Sequence, residues 1–237
     1  MDQRRDHLKQ AAAERAIEFV DSGMVVGLGT GSTAAFVVDA LGRRVADGLR
    51  IIGIPTSERT ATQARRLAIP LATFAEHQRI DVTIDGADEV ERGTLNLIKG
   101  LGGALLREKI VAAASASFIV VVDEEKLVGR LGEHTPVPVE VTQFGWQVTA
   151  AALTRLGAGP VLRHAAEDHP FITDGGNYIL DCRFERIADP ALLERQIRKI
   201  VGAVESGLFI GRSSAVVVAS STGVDVLRPT AAPRGGT

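Results

Sequence analysis

Along the first 122 residues, short apolar runs alternate with segments whose apolar residues recur at helical spacing. This alternation is the strongest constraint on the fold. It calls for right-handed βαβ units on a largely parallel sheet, because parallel neighbours must be joined by a crossover. Leu8, Ala12, Ala16 and Phe19 predict an amphipathic helix over residues 6–20, with Gly23 as its stop. Residues 24–27 read as a buried strand, followed by a glycine turn and a helix to about Gly42. Strands are then expected at 49–54, 71–74, 82–85 and 118–122, with helices at 57–67 and 103–116.

After about residue 131 the texture changes. A strand is expected at 137–141 and a helix at 146–156. Residues 172–181 read as a hairpin, because Asp174-Gly175-Gly176-Asn177 tolerate positive φ. Pro190 opens another helix at a first-turn position. Residues 208–210 and 215–219 are expected to return to the first unit. The organisation is thus α/β, with a mostly parallel sheet domain (1–131 and 205–230) and a small α+β unit (132–204) set into it. Residues 231–237 are expected to be a disordered tail.

Charge and cysteine content narrow the function classes. The net charge of −2 gives no hint of a nucleic-acid partner, which usually shows as a basic stripe or patch. A lone cysteine, Cys182, cannot form an internal disulfide and fits a reducing compartment. The N-terminus lacks a secretory apolar stretch, and Asp2, Asp6, Glu14 and Glu18 argue against a mitochondrial presequence. No run approaches the roughly 20 apolar residues that span a bilayer. The expectation is a cytoplasmic, soluble chain with no membrane or nucleic-acid partner.

Three stretches carry chemistry. Gly27-Leu-Gly-Thr-Gly-Ser-Thr33 lies between a strand and a helix, where glycines admit an anion and free helix N–H groups meet it. Thr30, Ser32 and Thr33 add hydroxyls; the alternative is a tight turn with a Ser/Thr cap. The P-loop lysine is missing, and the next strand ends in Ile54-Pro55-Thr56 instead of the acidic residue a dinucleotide site needs. Asp85-Gly-Ala-Asp-Glu89 closes an apolar strand, where ligands of open α/β sheets gather. Its carboxylates could perform acid–base work, bind a divalent metal, or form a solvated turn. In the third stretch, Lys99 precedes a glycine run and could stabilise an oxyanion or form a Schiff base. Leu106, Ile110 and Ala113 are expected to mark the core face of the following helix, with Glu108 opposite. His164 and His169 flank Glu167 and Asp168 without a zinc spacing, so a loop is expected there.

Taken together and in order, these stretches resemble the A-type ribose-5-phosphate isomerases. The matching residues are Gly29-Thr-Gly-Ser-Thr33, Asp85-Gly-Ala-Asp-Glu89, Lys99-Gly100 and Arg107-Glu-Lys109. Lys126, Pro136-Val-Pro-Val-Glu-Val141, Thr173-Asp-Gly-Gly-Asn177 and Gly207-Leu-Phe209 continue the match, which runs from Lys9 to about Ala219. The resemblance implies a Rossmann-like domain, a smaller ferredoxin-like domain and a homodimer or homotetramer. It implies an aldose–ketose isomerase of ribose 5-phosphate and ribulose 5-phosphate, in the non-oxidative pentose phosphate pathway, with no cofactor and no metal. By the same resemblance Glu108 is the base and Asp85 assists ring opening. Lys99 stabilises the enediolate, and Asp88 positions the substrate. Thr30, Gly31, Ser32, Thr33, Lys9, Lys126, Gly86, Ala87, Gly100 and Gly102 are implied to bind the sugar phosphate. Leu101 departs from the family's glycine run, Leu106 replaces a frequent polar residue, and Gly175 stands where an Asn is often found.

Two rivals remain at this level. A deaminating amino-sugar-phosphate isomerase is expected to use a histidine, and none sits in the three stretches. A sugar-phosphate sensor of a transcription regulator normally carries a helix-turn-helix before the sensor, and only about 20 residues precede the first strand here.

Overall fold

A computed structural model describes residues 3–166 and 169–229. The expected tail at 231–237 lies outside the described residues, as do Thr230, Glu167 and Asp168. In chain order the elements begin with α1 (Gln3–Ala16), β1 (Val25–Leu28), α2 (Ser32–Ala46), β2 (Ile52–Pro55) and α3 (Glu58–Arg66). Next come β3 (Ile80–Gly86), β4 (Glu89–Glu91), β5 (Leu97–Ile98), α4 (Leu105–Ala113) and β6 (Ser115–Asp123). After a 3-10 turn at Glu124–Lys126 follow β7 (Leu127–Val128), β8 (Val137–Val141), α5 (Trp146–Arg155), β9 (Ala158–Leu162), β10 (His164–Ala166) and β11 (His169–Pro170). The remaining elements are β12 (Tyr178–Phe184), α6 (Pro190–Ile197), β13 (Ala203–Ser206), β14 (Leu208–Phe209), β15 (Ala215–Ser220) and β16 (Gly223–Leu227).

The main sheet has the order β16-β15-β6-β3-β1-β2, parallel except for β16. Its central strands are apolar on both faces, as a covered parallel sheet requires. Val26, Leu28, Val82, Ile84, Ile119, Val121, Ala215 and Val217 pack with α1 and α2 residues such as Ala12, Ala16, Val37 and Leu41. The alternate residues Phe118, Val120, Val122, Val216 and Val218 form the opposite core with Leu97 and Phe209. A second sheet, β13-β8-β12-β9, is antiparallel throughout and has the β8-α5-β9-β12-α6-β13 sequence of a ferredoxin-like unit. A small third sheet, β14-β5-β4-β7, is drawn from segments between strands of the main sheet and at both ends of the smaller unit; residues 208–209 join it and not the main sheet.

Several local expectations are corrected. Helix α2 runs through Gly42 to Ala46, because a bare Cα there lets Leu67 pack closely; an added Cβ would lie 2.8 Å from the Leu67 Cβ. Residues 71–74 make only a single bridge, Gly53 to Leu71, instead of a strand. Residues 172–181 hold a turn but no hairpin. Glu140 accepts from the Thr173 hydroxyl and the Asn177 amide, both at 2.9 Å, fastening the turn to β8 while β12 pairs with β8 and β9.

Candidate active site

The carboxyl ends of β1, β3 and β6 converge beside the first turn of α2, which is where an open α/β sheet gathers ligands. Gly29 lies so close to Asp85 that an added Cβ would come within 2.3 Å of its Oδ1. That approach lets the Thr30 N–H donate to Asp85 Oδ1 at 3.0 Å. Gly31, at φ +127°, precedes α2 and supplies no side-chain cap. The early N–H groups of a 15-residue helix are therefore left for an anion. Thr30 differs from the reading of its hydroxyl as a free donor. Its Oγ1 is engaged with Thr56 and Ser57 at 2.7 Å and Thr60 at 3.0 Å. The hydroxyls of Ser32 and Thr33 make no hydrogen bond among the described residues.

A cavity of about 200 Å³ opens against this loop. It is lined by Lys9, Thr30, Gly31, Ser32, Thr33, Gly86, Ala87, Asp88, Lys99, Gly100, Gly102, Glu108 and Lys126, all singled out from sequence. Asp85 is not among them; it is fully buried behind Lys99. Arg5 and Asp123 line the cavity too. Arg5 was legible one turn before Lys9 on the same helix face, and Asp123 as the carboxyl end of an apolar strand. No histidine is among the lining residues. A larger hollow of about 540 Å³, between Ile54, Leu71, Phe74 and Ile110, is mainly apolar and holds no comparable set of buried ionisable groups.

At the inner wall Lys99 Nζ lies 3.0 Å from Asp85 Oδ2 and 3.4 Å from Glu108 Oε1, and donates to the Gly86 carbonyl at 2.5 Å. Lys99 and Glu108 are 2% and 3% exposed. The expected core face of α4 is corrected here. Ile110 is exposed, whereas Leu105, Glu108, Lys109, Val111 and Ala112 are buried. The helix turns Glu108 and Lys109 inward, where each meets an opposite charge, and leaves Arg107 at the surface with Glu58.

Burial pushes the Glu108 carboxyl up to about 8; Lys99 pulls it down, and Asp85 and Asp88 push it further up. Burial alone would pull Lys99 down, but Asp85, Glu108 and Asp88 outweigh it and its pKa rises. An ammonium held this way is a poor nucleophile, which removes the support for a Schiff base. Burial raises Asp85 as well, against Lys99 and the backbone N–H groups of Gly86 and Thr30. The two backbone N–H groups and the Lys99 ammonium favour the charged form of Asp85. Glu108 Oε2 has no hydrogen-bond partner among the described residues. A buried, unpartnered carboxyl oxygen at a cavity wall can exchange a proton with whatever the cavity holds.

Of the other acidic residues of this stretch, Asp88 faces the same cavity and Glu89 turns away from it. Asp88 Oδ2 accepts from the Leu101 N–H at 2.9 Å, and Glu89 accepts from the N–H groups of Gly132, His134 and Thr135. Leu101 thus contributes its backbone, and its side chain is exposed. Arg163 donates to the carbonyls of Gly100 and Leu101 at 2.9 and 3.0 Å while paired with Asp181 of β12. Nothing in the sequence around Arg163 signals that clamp.

The family model for ribose 5-phosphate isomerase A (phosphoriboisomerase A) matches residues 52–223. Ribose-5-phosphate isomerase A of Gloeobacter violaceus is 64% identical over 228 residues, covering 96% of this chain and 99% of that protein. Among solved structures, ribose 5-phosphate isomerase A from Methanocaldococcus jannaschii superposes with a TM-score of 0.90 at 44% identity, covering 94% of this chain and 98% of that one. A D-ribose-5-phosphate isomerase in complex with phospho-erythronic acid gives 0.92 at 41% identity, covering 94% and 99%.

Proposed function

This chain belongs to the ribose 5-phosphate isomerase A family, and from that premise we propose how its buried lysine–carboxylate cluster interconverts ribose 5-phosphate and ribulose 5-phosphate. The observation that carries the reading is Glu108, buried at the cavity wall with its pKa raised to about 8 and one oxygen unpartnered. A base with a pKa near the working pH transfers protons efficiently in both directions.

In the aldose-to-ketose direction, Glu108 takes the proton from C2 of the open-chain sugar. The C–H electrons form the C1–C2 double bond, and the carbonyl electrons move to O1. Lys99, kept charged by Asp85, stabilises that oxyanion. Glu108 returns its proton to C1 as the C2 carbonyl forms, and the proton leaving O2 passes to O1, which ends as a hydroxyl. Asp88, fixed by the Leu101 N–H, positions the sugar. Ser32, Thr33, Gly31, Lys9 and Lys126 hold the phosphate, and Gly86, Ala87, Gly100 and Gly102 shape the wall. Thr30 orders the loop through its hydroxyl cluster. Asp85 lies behind Lys99, so its part in ring opening would run through that ammonium.

The main-sheet unit (1–131 and 205–230) is read as the catalytic domain and 132–204 as the smaller one. The complex of a structural relative with phospho-erythronic acid supports a sugar-phosphate ligand. Among the described residues no helix is long and apolar enough to cross a membrane, which supports the cytoplasmic reading. The exposed Phe144, Val148 and Val201 of the smaller unit offer an apolar surface for a second copy, in line with a homodimer or homotetramer.

The test is turnover of ribose 5-phosphate by the purified protein with EDTA present, beside Glu108→Gln. Rapid conversion that is lost about 10²–10⁴-fold in the variant, with KM little changed, is the expected outcome. Near-normal kcat in a folded Glu108→Gln enzyme would sink the assignment of the base.

A further inference from the structure

Arg5 lies one turn before Lys9 on α1, and both line the catalytic cavity with Lys126 and the Gly31–Thr33 turn. Its guanidinium is engaged across the mouth: Nη2 donates to Glu125 Oε2, on the 3-10 turn that carries Lys126. The pair is open to water, with side-chain exposures of 45% and 63%, so solvent screens it and the bond is weak. A guanidinium fork matches two oxygens of a phosphate at least as well as those of a carboxylate, and a phosphate dianion carries more charge. A phosphate seated between Lys9 and Lys126 would therefore compete with Glu125 for Arg5.

Resting on the isomerase reading, we propose that Arg5 is a further phosphate-binding residue. Glu125 holds it beside the mouth in the substrate-free enzyme and yields it to the 5-phosphate on binding. Arg5 then helps close the phosphate end of the cavity by fastening α1 to the ligand. Glu125 acts as its competitor: it lowers apparent affinity while keeping the guanidinium at the rim. The two residues thus have opposite effects on binding, and the effect of Glu125 exists only while Arg5 is present.

A double-mutant cycle over Arg5→Ala, Glu125→Gln and the pair tests this. Expected are a KM for ribose 5-phosphate raised about five- to tenfold in Arg5→Ala, as for one charge-assisted hydrogen bond at a half-exposed site, with kcat nearly kept. Glu125→Gln should lower KM about two- to threefold, the double variant should match Arg5→Ala, and Arg5→Lys should recover part of the loss. Calorimetric titration with inorganic phosphate reads the same cycle without turnover. A wild type that fails to isomerise would therefore count against the isomerase reading while the Arg5 comparison stayed legible. Unchanged KM and phosphate affinity in Arg5→Ala would overturn the proposal. So would a Glu125→Gln gain of equal size with and without Arg5, since Glu125 would then act only through the general field.

Discussion

Two buried lysines ten residues apart, Lys99 and Lys109, approach the same Phe209 ring, at 5.7 and 4.9 Å from its centroid. Their surroundings differ in one respect. Lys109 donates to Glu205 at 2.9 Å, Glu194 at 3.2 Å and the Leu208 carbonyl at 2.7 Å, so its three donors are matched. Although burial pushes Glu205 up, Lys109 and the Ser206 N–H pull it below the ordinary carboxylate range. Lys99 also faces two carboxyls, but there Asp85 Oδ2 and Glu108 Oε2 have no hydrogen-bond partner among the described residues. A satisfied cluster of buried charges holds helix α4 to β13 and α6. An under-satisfied cluster at a cavity leaves a raised pKa that chemistry can use.

The largest test of this contrast exchanges the two lysines for methionine. Lys99→Met is expected to lose about 10²–10³-fold in kcat through the missing oxyanion partner. Lys109→Met is expected to lose stability first, about 3–5 kcal/mol, because Glu205 and Glu194 are left facing an apolar chain. Its folded fraction should keep a kcat much closer to wild type. Denaturant melts and active-site-normalised rates separate the two effects. The comparison fails if Lys109→Met loses turnover as deeply as Lys99→Met while remaining as stable as wild type.

A second test concerns the proton itself. Glu108 must be unprotonated to take the C2 proton, so kcat/KM should rise with pH through an apparent pKa near 8. Asp88 is one of the charges that raise Glu108, so Asp88→Asn should move this limb to lower pH, whatever it does to the plateau. An unmoved limb would show that Asp88 does not act on Glu108 electrostatically. No comparable titration is expected from the Lys109 cluster, where paired charge pulls Glu205 below the ordinary carboxylate range.

What could be read from sequence divides along similar lines. The βαβ alternation and the glycine turns depend on local pattern, and the main strands near 25–28, 80–86 and 115–123 fall where that pattern puts them. Most lining residues were also accessible, because the three motifs sit at strand ends and helix starts; Lys9 and Lys126 came only through the family resemblance, and Arg5 and Asp123 were not singled out. The inward face of α4 was not legible. Periodicity assigns apolar residues to the core, and here Glu108 is drawn in by Lys99, just after β5, and Lys109 by Glu194 of α6 and Glu205 of β13, pairings that periodicity does not register. The engagement of Thr30 with three hydroxyls near residue 57, the Arg163 clamp and the retreat of Asp85 behind Lys99 are likewise tertiary facts.

The remaining expected effect is on the pH dependence of stability. Glu108 has a folded-state pKa near 8, above its ordinary 4.5. Between those values the unfolded chain has released the proton while the folded chain still holds it. The folded state binds more protons there, so Glu108 costs stability progressively as pH rises from about 4.5 to 8. Glu108→Gln has nothing to titrate at this position. Its melting temperature should therefore fall less than that of wild type between pH 5 and pH 8, although its activity is lost. Glu205, lowered below its ordinary value, contributes in the opposite sense and at lower pH: its stabilisation is present above the unfolded pKa and is lost as pH falls. Glu205→Gln should leave the slope between pH 5 and pH 8 as in wild type and flatten the acid side. Parallel melting curves for wild type and Glu108→Gln across pH 5–8 would show that Glu108 is not the strained carboxyl of the pair.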